Sequence, residues 1–278
     1  MSASVSVRVL ALVLGGCFLS GPVQAKTSSW GGDTQARGRI LSAVDSVGDH
    51  PVFEGVVEVE MGPGWHSYWK APGDAGLAPV FDWGKSENIE QIEMFWPLPK
   101  RKEEAGFQVF GYEEHVRFPF RVEVKETGAP VTLAGRLQIM VCKEICIPQT
   151  LEMDLDLEAG DGGQAVESRV VDLAKSRLPL QGDAETLGIQ TVVLGPDALV
   201  ITARSTDGFD GVDVFAHAGE RAFTALPQIN VDEADAHKAM IVIAKPEDVE
   251  SLQGFLEGQR LSVTLSNGRE GVEKSFNF

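Results

Sequence analysis

The sequence predicts an all-β protein made of two β-sandwiches joined by a short helix-containing linker. Three observations carry this expectation. Apolar residues alternate with period two in successive short runs, Gly/Pro turns separate the runs, and no βαβ alternation occurs. The aromatic residues divide the chain. Trp30, Trp65, Trp69, Trp83, Trp96, Tyr68 and Tyr112 all precede residue 113, and Gly160-Asp161-Gly162-Gly163 separates that half from one with neither residue type. A mature chain of about 250 residues can fill two cores of ordinary size. The expected organisation is a leader over 1–25, a first domain over 27–159, a linker with a short helix over 160–180, and a smaller second domain over 181–278.

The leader is read from Arg8, the apolar run Val9 to Leu14, and the small-residue cleavage signal Val23-Gln24-Ala25 before Lys26. A competing reading takes Leu14-Gly15-Gly16-Cys17 as a lipoprotein box with Cys17 lipidated; cleavage after Ala25 is preferred because apolar residues continue past the cysteine. Export is the expectation, and beyond Ala25 no run approaches the ~18 apolar residues of a membrane helix. The formal net charge is −17, and loss of Arg8 with the leader makes it −18. A surface this acidic argues against nucleic acid or anionic lipid as a partner.

In the first half, residues 52–61, 116–124, 131–141 and 151–157 read as strands. Residues 164–178 place Val166, Val170, Leu173 and Leu178 at helical spacing, which predicts a connecting helix with those residues on its apolar face. Residues 188–204 form two strands about the turn Gly195-Pro196-Asp197. Further strands are expected at 211–217, 239–244 and 260–266. Pro246 to Leu256 begins with proline and acids, as a helix N-terminus does, with Val249, Leu252 and Leu256 on one face.

The leader removed, two cysteines remain, Cys142 and Cys146. Val131, Leu133, Leu137, Ile139 and Val141 occupy odd positions, as do Leu151, Met153, Leu155 and Leu157, while Glu152, Asp154 and Asp156 are even. Odd residues therefore face a core, and both cysteines face away from it. A hairpin through Lys143-Glu144-Ile145 places Cys142 opposite Cys146 and Leu137 opposite Leu151, close enough for a disulfide after modest adjustment. A bridge closing so short a loop stabilises by only about 2 kcal/mol, against ~3 for a 15-residue loop. That makes a redox-active dithiol the leading reading. Two others stay open: a Cu(I) site formed by Met140, Cys142 and Cys146, and an interaction module with an inert disulfide. No cofactor is expected under the leading reading.

Four segments occur in register: GWHSYWKAPGDAGLAPVFDW (64–83), FWPLPKR (95–101), VFGYEEHVRFPFRV (109–122) and VCKEICIP (141–148). Together they resemble the periplasmic N-terminal region of the DsbD/ScsB thiol-disulfide interchange proteins, more closely the ScsB-like branch associated with copper tolerance. The resemblance covers roughly 40–158 and implies an immunoglobulin-like sandwich for the first domain; the second, read from its strands, is expected to be a smaller sandwich of the same immunoglobulin-like class. It implies a periplasmic protein that takes electrons from a thioredoxin-like donor and passes them to oxidised partners. It also implies that Cys146 carries the mixed disulfide and Cys142 resolves it. Lys143 would favour a thiolate and Glu144 oppose it. An aromatic cap is implied over the pair, with Phe110 the candidate and Phe107 and Tyr112 behind it. Trp65, Trp69 and Trp96 are read as core, while His66 and Tyr68 lie on the other face of that strand. The Cys-x3-Cys spacing is shorter than in DsbD itself. The chain contains neither the membrane domain nor the thioredoxin domain of the full-length proteins, so a separate membrane electron-transfer protein is the expected source of electrons.

Overall fold

The computed structural model describes residues 26–278; the expected leader and Cys17 lie outside the described residues. The first domain contains β1 (Gly31–Gly32), β2 (Ala36–Ser42), β3 (Val52–Met61), β4 (His66–Gly73), β5 (Val80–Asp82), β6 (Ile89–Met94), β7 (Lys100–Glu104), β8 (Phe107–Glu113), β9 (His115–Val124), β10 (Val131–Cys142) and β11 (Cys146–Leu157). They form two sheets, ordered β1-β2-β3-β9-β6 and β11-β10-β4-β8-β7, with β5 pairing on β10. Phe118, Phe120, Val122, Leu133, Leu137, Leu151 and Met153 fill the space between them.

The helix α1 (Ser168–Lys175) is shorter than the expected 164–178 and turned differently. Val171 and Ala174 are its buried residues, packed on Val56 of β3, whereas Val166 and Leu173 are 56% and 51% exposed. The face that the spacing nominated therefore points largely to solvent. With Val57 and Val59 in the sandwich core and Val56 under α1, β3 is covered on both faces.

The second domain contains β12 (Leu180–Gln181), β13 (Leu187–Leu194), β14 (Ala198–Ser205), β15 (Asp213–Ala218), β16 (Arg221–Phe223), β17 (Gln228–Val231), β18 (Lys238–Ala244), α2 (Leu252–Leu256), β19 (Arg260–Ser266) and β20 (Gly271–Asn277). Its sheets run β12-β20-β19-β15-β16 and β13-β14-β18-β17 around a core that includes Ile201, Ile241, Leu261 and Val263. The helix expected from Pro246 begins only at Leu252. Ser251 is its N-cap, its side chain accepting from the Gly254 N–H, and the segment before it makes a turn in which Val249 N–H donates to the Pro246 carbonyl. Val249, Leu252 and Leu256 are buried together as the spacing required. Both domains are sandwiches, and strands dominate throughout. Two second-domain side chains, Phe215 and Ala222, belong to the core of the first domain.

Candidate functional site

The cysteine hairpin takes the register that its alternation demands. Val131 pairs with Leu157, Leu137 with Leu151 and Cys142 with Cys146. Every odd residue of that pairing named above is buried, because a register of this parity puts both apolar sets on one face. Cys142 and Cys146 are joined by a disulfide, S–S 2.06 Å, at the end of the ladder.

The two sulphurs are not equivalent. Cys146 is exposed, beside an exposed Ile145, whereas Cys142 is only 2% exposed. Its cover comes from β4, which pairs with β10 at His66↔Cys142. Two residues on, Tyr68 lies on the same face and its hydroxyl donates to Cys142 Sγ at 3.0 Å, with Cys146 Sγ at 3.9 Å. Val109 of β8, Ala75 and Met140 close the cluster. Tyr68 is held down by the turn after β4. Gly76 has φ +97°, and a Cβ there would lie 2.2 Å from the Tyr68 ring, so only glycine fits this approach.

A polar group borders this cluster. His66 is buried, meets the Tyr68 ring edge-on at 5.5 Å, and places Nε2 3.1 Å from Glu104 Oε2. That contact is close enough for an ion pair but too poorly aligned for a hydrogen bond, and both ring nitrogens lack one. Lys102 Nζ holds the other Glu104 oxygen at 2.7 Å. Burial drives the His66 pKa below its ordinary value while Glu104 pulls it the other way. Burial, reinforced by the Glu104 charge, raises that of Tyr68, which keeps its hydroxyl a donor at neutral pH.

The structure brings only some of the expected residues to the sulphurs. Phe110 does not cap them. It is fully buried on the opposite face of β8, 5.1 Å from the Phe215 ring in the core between the domains. Tyr112 shares that inner face and donates its hydroxyl to the Pro97 carbonyl at 2.9 Å. Alternation along β8 imposes this outcome, since Val109 is the residue that covers Cys142 and its neighbour must point inward. Phe107 has the outward phase but sits at the far end of β8, 52% exposed. Lys143 reaches away from the sulphurs to the Pro63 carbonyl, 3.1 Å, and Glu144 is exposed. The residues that sequence reasoning undervalued are Tyr68, His66 and Glu104. The signal for the first two was their phase opposite Trp65 and Trp69; what it lacked was the knowledge that β4 lies beside β10.

This arrangement suits thiol–disulfide exchange. An incoming thiolate can reach Cys146 Sγ, and the leaving sulphur of Cys142 already has a hydroxyl donor aimed at it. Among the described residues no group of three or more His, Cys, Asp or Glu side chains is placed to hold a metal ion, and no helix is long and apolar enough to cross a membrane.

Known proteins resemble this chain in the family of its first domain and in its fold. The family model for the N-terminal domain of the thiol:disulfide interchange protein DsbD matches residues 43–158, and a domain family of unknown function matches 177–278. No curated protein matches the chain. Among solved structures, the N-terminal periplasmic domain of ScsB from Proteus mirabilis superposes with a TM-score of 0.68 at 19% identity, covering 91% of this chain and 98% of that one. A marsupial T cell receptor also aligns over 88% of this chain and 98% of its own, but with a TM-score of 0.24 and 8% identity. The first sandwich, with Cys142 and Cys146 in its terminal hairpin, thus belongs to the DsbD N-terminal family of thiol–disulfide interchange domains, in a chain with the two-domain fold of the ScsB N-terminal region.

Proposed function

We propose that this protein relays electrons by thiol–disulfide exchange in the periplasm, between a thioredoxin-like or membrane reductase donor and oxidised partner proteins. The observation that carries the reading is the asymmetry of the disulfide: one exposed sulphur at a hairpin tip, the other buried under a tyrosine hydroxyl.

The steps follow from that asymmetry. A donor thiolate attacks Cys146 Sγ, the Cys142–Cys146 bond breaks, and its electron pair leaves on Cys142 Sγ as a thiolate beneath the Tyr68 hydroxyl. The donor's second thiol, once deprotonated, then attacks the donor sulphur of the mixed disulfide. This frees Cys146 as a thiolate and leaves the donor oxidised by two electrons. Solvent protons complete whichever thiolates are basic enough to take them. Transfer onward runs the same chemistry in reverse, with Cys146 attacking the partner's disulfide and Cys142 resolving the complex.

Trapping tests the reading. Cys142→Ala should accumulate a mixed disulfide through Cys146 with a thioredoxin-like protein, whereas Cys146→Ala, with its remaining thiol covered, should trap little. Absence of a mixed disulfide from both variants, with the wild-type disulfide inert to reduced thioredoxin, would remove it.

A further inference from the structure

The strands that hold Tyr68, His66, Glu104 and Val109 over the disulfide are β4, β7 and β8. Their alternate residues point to the reverse face of the sheet, and the second domain occupies much of that face. Trp69, next in sequence to Tyr68, meets Phe215 and His217 edge-on at 5.8 and 5.2 Å. Phe110, next to Val109, meets Phe215 at 5.1 Å. Arg101, next to Lys102, is nearly buried and gives every arm of its guanidinium to the second domain. Its Nε lies 3.0 Å from Asp213 Oδ2, Nη1 donates to the Thr224 carbonyl at 3.0 Å, and Nη2 donates to the Val214 carbonyl at 2.9 Å. Its plane lies over the Phe110 ring, 4.6 Å from the centroid. Lys70 adds an ion pair to Glu273 at 2.8 Å.

These contacts do more than hold two domains together. Phe215 and Ala222 are members of the first domain's own core, so the sandwich is completed under β4 and β8 by side chains from its neighbour. A guanidinium held by a carboxylate and two carbonyls at once has one geometry, unlike a lysine ammonium on a flexible stem. Trp69, Phe110 and Arg101 are each the sequence neighbour of a residue at or bordering the site (Tyr68, Val109 and Lys102), one Cα step away along a strand.

We infer that the second domain is a positioning element for the redox pair: through Arg101, Trp69 and Phe110 it fixes the strands whose opposite face keeps Tyr68 on Cys142 Sγ. Arg101 and Trp69 are positioning residues, and Asp213 and Phe215 are their seats. The inference deepens the exchange reading and rests on it for its kinetic consequence, but the burial of Cys142 that it explains can be measured without any partner.

The test uses the full chain and substitutions confined to the second domain. Asp213→Asn removes the charge facing Arg101 while keeping its shape, and Phe215→Ala removes the ring between Trp69 and Phe110. Ile201→Val, in the second domain's own core away from this interface, is the control for lost stability. Two rates are read: alkylation of Cys142 in the reduced protein, measured with Cys146→Ala present, and reduction of the disulfide by thioredoxin. A displacement of about an ångström can cost on the order of 100-fold in rate. The interface variants should therefore alkylate Cys142 several-fold faster and exchange on the order of tenfold more slowly, while Ile201→Val changes neither. If Phe215→Ala does not fold, Asp213→Asn decides alone. Wild-type rates in a folded interface variant would overturn the inference. A wild-type disulfide that thioredoxin cannot reduce would instead strike the exchange reading, leaving the alkylation comparison to judge the positioning role.

Discussion

The Tyr68 hydroxyl donates to Cys142 Sγ across 3.0 Å while the partner sulphur, Cys146, stands in solvent. A hydroxyl so placed gains most when Cys142 becomes a thiolate, because hydrogen bonds to charged acceptors are worth about 1.5–3 kcal/mol and those to neutral ones roughly half. Tyr68→Phe keeps the ring and removes the donor. Reduction of the disulfide by thioredoxin should slow by about 4- to 12-fold, the rate equivalent of that difference. Stopped-flow tryptophan fluorescence is the measurement, and an unchanged rate would deny Tyr68 this role.

Gly76 is the second point of control on the same contact. Its φ of +97° and the 2.2 Å approach that a Cβ would make to the Tyr68 ring leave no room for alanine. Gly76→Ala should destabilise the fold by about 1–3 kcal/mol from backbone strain alone. It should also expose the Cys142 thiol of the reduced protein to alkylation. A variant that keeps Cys142 protected would show that the turn does not hold Tyr68 in place.

Acid stability should turn on Glu58. This residue is buried on β3 and receives Arg39, Arg117 and His115, with contacts of 2.7 Å to Arg39 and 3.0 Å to His115. Burial alone would raise its pKa, but the hydrogen bonds from His115, Arg39 and Arg117 outweigh burial and bring it from 4.5 to about 2. A depressed carboxylate stabilises the fold fully above its unfolded pKa, and that contribution is lost as pH falls from about 4.5 through about 2. Glu58→Gln should cost about 3 kcal/mol at pH 7 and flatten the acid limb. The cost sits at the low end because Arg39 and Arg117 keep about a third of their side-chain exposure. Urea melts from pH 7 to pH 2 would show it.

Two histidines act in a different pH window and with the opposite preference. His66 beside the disulfide and His217 against Trp69 both have pKa values lowered from 6.5, chiefly by burial. Each is favoured neutral in the fold, so the unfolded chain binds more protons below pH 6.5. Stability should therefore fall as pH drops through 6.5 and level off only below the folded pKa values. Denaturant midpoints at pH 7.5 and 5.5 should differ for the wild type and converge for His66→Gln/His217→Gln. An equal difference in the double variant would assign the effect to other groups.

The strands of the hairpin, its register and the oxidisable pair were legible from the chain, as were most strands of the second domain. Alternation is a local property: it puts the odd residues of 131–141 and 151–157 on one face, and the three-residue turn at 143–145 then selects the observed register. The helix at 168–175 was legible as a helix but not in its orientation, because Val171 and Ala174 are chosen by the surface of β3 rather than by their own spacing. Phe110 was misread as a cap since a resemblance identifies a loop, whereas the phase of β8 decides which of its residues look outward.

The sequence by itself determined that Cys142 and Cys146 share the outer face of their strands, because strand geometry fixes sidedness from residue to residue; that they stand opposite each other follows only once a three-residue turn joins the strands. It could not separate the two sulphurs, which have the same parity. Only the tertiary structure made one a buried leaving group and the other an exposed target, by laying β4 beside β10 and the Gly73–Gly76 turn over Tyr68. Burial is set by what distant segments bring to a face, and no period in the chain encodes that.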